Sequence, residues 1–217
     1  MVSRKQRRID EYKRREAFKE PRKSILIVCE GKKTEPIYFD ALKKKLRLAM
    51  VDIEIVGAGA VPITVVDRAV DLKKEKRRIS KRSPTEVEYD IIYCVIDVEA
   101  PKPHESLARA VSKAKDNKLE VILSNPCFEY WYILHFRKTG APFNTSREVK
   151  SVLRREHHHS YSESDTTIFN VVYPKTRYAI KNSKEVLNEH HNNAEDLRNC
   201  NPSTHVHKIV EYLQDMI

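Results

Sequence analysis

The chain has 217 residues, enough for one hydrophobic core with an appendage but too few for two full domains. Hydrophobic residues make up 40% and there are only 4 glycines, which excludes a fibrous or low-complexity protein. The formal net charge of +10 favours a polyanionic partner, most commonly nucleic acid, although a basic excess can also simply keep a protein soluble.

The sequence also indicates a compartment. No apolar stretch approaches the ~18 residues that a membrane span needs. The four cysteines are scattered, without a CxxC pair, and no secretory leader precedes them. We therefore expect a cytoplasmic protein with no membrane contact, in which Cys29 and Cys94 are buried as small apolar side chains.

Residues 1–22 are predicted to form a basic N-terminal arm, because the chain from Arg4 to Lys23 carries ten basic and four acidic residues. Apolar strands are then predicted at 24–29, 51–56, 89–96 and 119–123. Helices follow them, entered at Thr34, at Pro62, over 107–114 and at Pro126, the last with Asn125 as its cap. This alternation predicts an α/β core over residues 23–140, with a parallel four-stranded sheet and helices on both faces.

Beyond Gly140 the alternation stops, and residues 141–217 are predicted to be a helical extension packed on the core. A capping box at Thr145 and Glu148 opens its first helix. Two more helices are predicted over 175–190 and 202–216.

Acidic residues follow two of the predicted strands. Glu30 ends the first strand, and Asp97 and Glu99 end the third. If the strand order is 2-1-3-4, these strands are neighbours at the point where the order reverses, which is where open parallel sheets bind ligands. Crowded carboxylates repel one another unless a cation holds them, and Mg²⁺ prefers oxygen ligands. The alternative is that these acids are exposed turn residues.

Several motifs together resemble the RloB family. They are residues 27–39 with the Glu30-Gly31 pair, Asp97-Val98-Glu99, Asn125-Pro126-Cys127-Phe128-Glu129-Tyr130-Trp131, His135-Phe136 and Asn201-Pro202-Ser203-Thr204. The resemblance runs from about Lys23 to the C-terminus. The RloB family is a branch of the Toprim superfamily, is associated with anti-phage defence, and is often encoded beside an ATPase.

The resemblance implies a Toprim/Rossmann-like fold and a nuclease dependent on Mg²⁺ or Mn²⁺, working with an AAA- or ABC-type ATPase partner. It implies Glu30 as general base or metal ligand, and Asp97 and Glu99 at the metal-binding Asp-x-Asp. Glu99 departs from that motif, since the superfamily commonly has aspartate there. The extra methylene of Glu99 would shift the bound ion or weaken its binding, but the side chain keeps the negative charge.

Several other residues have both a functional and a structural interpretation. Glu35 and Glu129 are candidate metal ligands, or acids placed favourably at helix N-termini. Lys32 and Lys33 are candidates for holding the scissile phosphate, with Lys32 as a catalytic group, or are merely solvated.

A basic helix end is predicted to follow a nucleic-acid backbone. Its members are Lys73, Lys74, Arg77, Arg78, Lys81 and Arg82. The aromatic residues Phe128, Trp131 and Phe136 are predicted to be core, and His135 a satisfied, semi-buried histidine.

Two alternatives to the metal-dependent nuclease remain open. The chain could be an inactive nucleic-acid-binding or assembly module whose extension docks on an ATPase. Alternatively, Arg154 and His159 have the Arg-x₄-His spacing of metal-independent HEPN-type ribonucleases, a weak signal that needs a helical context. No P-loop sequence is present, so any ATP use requires a partner. The sequence leaves the substrate class open, and an oligomer is possible.

Overall fold

A computed structural model of the chain describes residues 23–55, 61–83, 85–99, 102–157, 159–190 and 200–217. The predicted basic arm, residues 1–22, lies outside the described residues. Within them, no helix is both long and apolar enough to cross a membrane.

Over the ranges that the structure describes, the sheet has five strands in the order β2-β1-β3-β4-β5. They are β1 (Ile25–Cys29), β2 (Val51–Ile55), β3 (Ile91–Asp97), β4 (Glu120–Asn125) and β5 (Ser203–Thr204). The first four are parallel and have the predicted 2-1-3-4 order. The strand β1, which lies between β2 and β3, is buried along its whole length, as expected for an apolar run covered on both faces.

The predicted number of four strands was wrong, because β5 pairs antiparallel with the end of β4. The hydroxyl groups of Ser124 and Thr204 lie 2.8 Å apart, and His205 N donates to Leu123 O at 2.9 Å. These bonds hold Ser203 and Thr204 in an extended conformation, so the helix predicted over 202–216 begins only at Val206.

The helices cover both faces of the sheet. They are α1 (Thr34–Leu46), α2 (Pro62–Ser80), α3 (Leu107–Asp116), α4 (Glu129–Leu134), α5 (Ser146–Val152), α6 (Ile168–Val172), α7 (Thr176–His190) and α8 (Val206–Gln214). A π-helical turn, Leu153–His157, follows α5, and a 3₁₀ turn, Tyr173–Lys175, follows α6.

Two helix boundaries follow from the local backbone conformation. The first helix ends at Leu46 because Arg47 takes the left-handed conformation, with φ 57°. The predicted cap and first residue of α4 were wrong. Asn125 is the last residue of β4, Pro126 follows it through a cis peptide bond, and the helix begins at Glu129.

The hydrophobic core lies on the two faces of the sheet. On one face, α2 and α3 contribute Val65, Val66 and Ala110 to a cluster with β1 and β3. The opposite face is larger and contains α1, α4 and the extension, whose Val149 and Phe169 join the same cluster as Ile27 of β1. The extension is therefore continuous with the core on one face. All four cysteines are free and buried.

Candidate acidic site at the carboxyl ends of the strands

Glu30 and Asp97 meet where the strand order reverses. β1 and β3 are neighbours, with Cys29 opposite Val95, and Glu30 N donates to Val95 O at 3.1 Å. The Asp97 backbone N–H then donates to Glu30 Oε2 at 3.1 Å. The pairing of the two parallel strands therefore places the two acids side by side, as the sequence predicted.

Asp97 is the least compensated acid of the site. Its Oδ1 is buried and has no hydrogen-bond partner within the described part of the chain. Burial raises the pKa of Asp97 well above its ordinary value, and the charges of Glu35, Glu129 and Glu30 raise it further. A cation placed here would remove both the unsatisfied oxygen and the repulsion.

Glu35 reaches back from the first turn of α1 into the same crevice. It is 4% exposed, and Gly31 N donates to its Oε1 at 3.2 Å. A Cβ on Gly31 would overlap Glu35 Oε2, so only glycine leaves room for this carboxylate. Burial raises the pKa of Glu35 to about 7, and the charge of Glu129 contributes to the rise.

Glu30 also has a raised pKa. Burial raises its pKa to about 7, the hydrogen bond from the Asp97 N–H opposes that rise, and the charges of Glu99 and Glu35 add to it. A carboxyl with this pKa exchanges a proton near neutral pH, which suits a general base.

Glu129 links the site to the helical extension. It is 2% exposed in the first turn of α4, and its Oε1 accepts from the hydroxyls of Tyr161 at 2.8 Å and Thr34 at 3.4 Å. Lys150 Nζ, from α5, lies 3.6 Å from the same oxygen and 2.5 Å from Glu163 Oε1. Burial lowers the pKa of Lys150, but the carboxylates of Glu129 and Glu163 outweigh this effect and raise it. Lys150 therefore stays charged beside the buried acids.

Three predicted site residues lie at the rim. Glu99 is exposed and has a left-handed backbone, φ 60°, with its N–H donating to Pro126 O at 3.0 Å. Lys32 and Lys33 are exposed in the turn between β1 and α1. The structure thus brings Glu30, Asp97, Glu35 and Glu129 into one electrostatic cluster and leaves Glu99 at its edge.

The acids do not form a closed coordination shell. Across the described ranges, no group of three or more His, Cys, Asp or Glu side chains is arranged to hold a metal ion. The donor chemistry nevertheless fits a hard divalent cation, because the acids supply only oxygen and one buried oxygen of Asp97 lacks a partner among the described residues. Asp97, Glu35 and Glu129 are the residues that would hold it, with Glu30 beside Asp97 and Glu99 at the rim.

Comparison with known proteins identifies the family. The family model described as RloB-like protein matches residues 25–213, from the first residue of β1 into α8. The chain belongs to the RloB-like family. No curated protein and no solved structure matches it. The match includes both the acidic cluster and the helical extension of this RloB-like protein.

The predicted basic helix end lies at the opposite edge of the sheet. Because β2 and β3 are parallel, α2 starts beyond the carboxyl end of β2 and must return to the amino end of β3. Its final turns contact that amino edge: Lys73 Nζ donates to Asn117 O at 2.7 Å, just before β4, and Lys76 lies over the Tyr89 ring. The basic end therefore does not flank Glu30 and Asp97.

Lys150, Tyr161 and Thr34 contact the acids but were not predicted from the sequence as site residues. The capping box identified the helix that carries Lys150, but no spacing in the sequence connects it to an acid in another part of the chain. Lys33 and Arg154 also lie near the site, since their charges help to lower the pKa of Glu163 after the larger effect of Lys150. The cations closest to the acids therefore come mainly from the extension.

The remaining predicted groups are structural. Phe128 and Trp131 are buried in the core as predicted, and Phe136 is partly buried with Lys175 over its ring at 4.3 Å. His135 is more buried than predicted. Its Nδ1 bonds to Trp131 O at 2.8 Å, its Nε2 has no partner in the described structure, and burial lowers its pKa to about 4.

The Arg-x₄-His pattern lacks its helical context in this RloB-like protein. Arg154 lies in the π-helical turn, and its Nε donates to Tyr161 O at 3.0 Å. His159 lies in a turn beyond the helix, and His158 is outside the described residues. Arg154 and His159 do not share one face of a regular α-helix, so this arrangement gives the HEPN-type alternative no support.

Proposed function

We propose that this RloB-like protein is a Toprim-type nuclease that hydrolyses phosphodiester bonds in DNA or RNA with Mg²⁺ or Mn²⁺. One observation carries the proposal: a buried Asp97 oxygen that has no partner in the described part of the chain, surrounded by further acids where the order of the parallel strands reverses. Carboxylates this close repel one another and destabilise the folded state, and a bound divalent cation removes that repulsion.

The residues have separate roles in this proposal. Asp97, Glu35 and Glu129 hold the cation, which when bound would supply Lewis acidity toward a phosphate oxygen. Glu30, whose pKa is raised to about 7, accepts the proton of the attacking water. Lys32 and Lys33, exposed at the rim, contact the phosphate.

We place this activity in cytoplasmic anti-phage defence, together with an ATPase partner. The support is the family membership and the resemblance of the motifs to that family. The chain itself has no P-loop sequence, so ATP-driven control has to come from another protein.

A second candidate is an inactive nucleic-acid-binding or assembly module. It is favoured by the exposed position of Glu99 and by the lack of a preformed three-ligand group in the described residues. This module would bind nucleic acid equally well with and without a chelator and would show no turnover.

The test is cleavage of labelled DNA and RNA by wild type and Asp97→Ala, with Mg²⁺, with Mn²⁺ and with a chelator. Asp116→Ala is the matched control, because Asp116 is an exposed acid at the other end of the sheet. The proposal predicts cleavage by wild type and the control, lost in Asp97→Ala and in chelator. Cleavage that persists in Asp97→Ala contradicts it, and an inactive wild type is tested again with the ATPase.

A further inference from the structure

The cations at the ends of α2 and α3 form one exposed surface at the amino edge of the sheet. α2 and α3 pack side by side, and Lys73 Nζ, in the second half of α2, donates to Asn117 O, directly after the end of α3. The exposed members are Lys74, Arg77, Arg78, Lys81 and Arg82 after or near the end of α2, and Lys115 and Lys118 at the end of α3. We call these seven residues the basic edge.

Helix dipoles alone do not account for the basic edge. A dipole favours cations in the last turn of a helix, which explains Arg77, Arg78 and Lys115. The run of cations continues beyond both helices, to Lys81, Arg82 and Lys118. Acids are also present, since Asp71 and Glu75 line the same groove of about 610 Å³ as Lys74 and Arg78, but the cations are in excess.

We propose that the basic edge is a nucleic-acid anchoring surface, separate from the acidic site and bound to phosphates of the same strand or duplex. Exposed Lys and Arg side chains suit a phosphate backbone, and the whole chain carries a net charge of +10. The inference rests on the proposed function only for the choice of nucleic acid as partner, because anchoring requires no cleavage.

The distance between the two surfaces sets a length requirement. α2 has 19 residues and runs from the carboxyl edge to the amino edge, which is about 28 Å at 1.5 Å per residue. Lys74, the first member of the basic edge, lies about 18 Å along this helix by the same measure. At 3.4 Å per base pair, a straight duplex from the carboxyl edge needs about 5 base pairs to reach Lys74 and about 8 to reach the end of α2. Substrates of about 4 base pairs reach only one of the two surfaces.

Binding in chelator tests the anchor without the acidic site. The full-length protein is compared with Lys74→Gln/Arg78→Gln/Lys81→Gln, using labelled DNA and RNA duplexes of about 30 base pairs. The matched control, Arg177→Gln/Lys181→Gln/Lys208→Gln, removes the same charge from exposed positions on α7 and α8. We expect the basic-edge variant to bind roughly tenfold more weakly, with a salt slope smaller by about 2 to 3, and the control to bind nearly as wild type.

Cleavage kinetics distinguish failure of the anchor from failure of the nuclease. On substrates of about 20 base pairs the basic-edge variant should raise KM and leave kcat unchanged, whereas on about 4 base pairs, which do not reach Lys74, it should match wild type. Equal binding by the basic-edge variant and wild type, or equal loss in the control, overturns the anchor even if cleavage is observed. A loss of binding confined to the basic-edge variant supports the anchor even if no cleavage occurs.

Discussion

The two edges of the sheet carry opposite charges in opposite environments. At the carboxyl edge, Glu35 and Glu129 are buried beside Asp97, which is half-buried with one buried oxygen, and burial raises the pKa of Asp97 and Glu35. At the amino edge, the cations are exposed, and Arg77 lies 3.9 Å from an exposed Glu88. Burying a charge costs free energy, whereas exposing one costs almost none. Of these two edges, a bound cation should therefore stabilise the fold only at the acidic edge.

The largest expected effect is on catalysis at the acidic edge. Glu30→Gln removes the proton acceptor while preserving shape, and we expect cleavage to fall roughly a thousandfold, since removing a transition-state contribution of several kcal/mol costs about three powers of ten. Glu99→Gln at the exposed rim should cost about tenfold, because its charge is screened by solvent. Comparison of kcat for the two variants checks this order, and a reversed order would place the catalytic carboxylate at Glu99.

A smaller effect is expected from the lysine beside the buried acids. Lys150→Met removes a cation close to Glu129, and we expect the free energy of unfolding at pH 8 to fall by about 2 kcal/mol, a value discounted for partial exposure. Lys184→Met, which removes an exposed partner of Glu211, should change it by less than about 0.5 kcal/mol. Urea unfolding measures both values, and equal values would mean that the acidic edge is not electrostatically strained.

The pH dependence of stability is a further consequence of burial. The pKa of Glu30 and Glu35 is raised from 4.5 to about 7, so the folded state keeps protons that the unfolded state releases between these values. Stability from these groups is therefore present below about pH 4.5 and is lost as the pH rises toward 7.

Asp97→Asn tests how much one buried negative charge destabilises the fold. The substitution removes a buried negative charge, so in chelator it should stabilise the fold by about 1 to 2 kcal/mol at pH 8 and by less at pH 5. Urea unfolding at the two pH values measures the difference, with the exposed Asp116→Asn as a neutral control. Destabilisation by Asp97→Asn at pH 8 would show that the folded state already compensates this charge.

The smallest effect concerns residues whose backbone takes the left-handed conformation, which occur at both edges of the sheet. Glu99, with φ 60°, follows β3 at the carboxyl edge, while Arg47 and Lys118, with φ 57° and 55°, precede β2 and β4 at the amino edge. Replacement of each by glycine should stabilise the fold by about 0.5 kcal/mol, because glycine adopts this conformation without strain. Glu99→Gly should also slow cleavage, whereas Arg47→Gly, which lies outside both proposed surfaces, should not. Thermal unfolding and activity, measured together, would contradict this account if Arg47→Gly slowed cleavage as much as Glu99→Gly.

Much of the fold could be predicted from local patterns. The apolar run at Ile25 to Cys29 indicated a strand buried on both faces, and alternating strands and helices fixed the parallel core. The same reasoning brought Glu30 and Asp97 together, because parallel strands end at one edge of a sheet. β5 could not be found this way, since two residues, Ser203 and Thr204, carry no periodicity and are extended only because β4 bonds to them.

The remainder of the site depends on contacts between distant parts of the chain. Lys150 and Tyr161 approach Glu129 because the extension packs on the same face as α4, which no local pattern specifies. The position of the basic helix end, in contrast, follows from the topology. Its charge indicated only that it follows a nucleic-acid backbone, but a crossover helix between parallel strands has to end at the edge away from the acids.

Calorimetric titration of Mg²⁺ and Mn²⁺ tests the central claim, that the acidic edge binds a divalent cation. Wild type and Asp97→Asn would be titrated at pH 8 and pH 6. We expect wild type to bind both ions, more weakly at pH 6 because protons compete for Glu30 and Glu35, and Asp97→Asn to bind at least roughly tenfold more weakly. Equal affinity of wild type and Asp97→Asn at pH 8 would contradict the account.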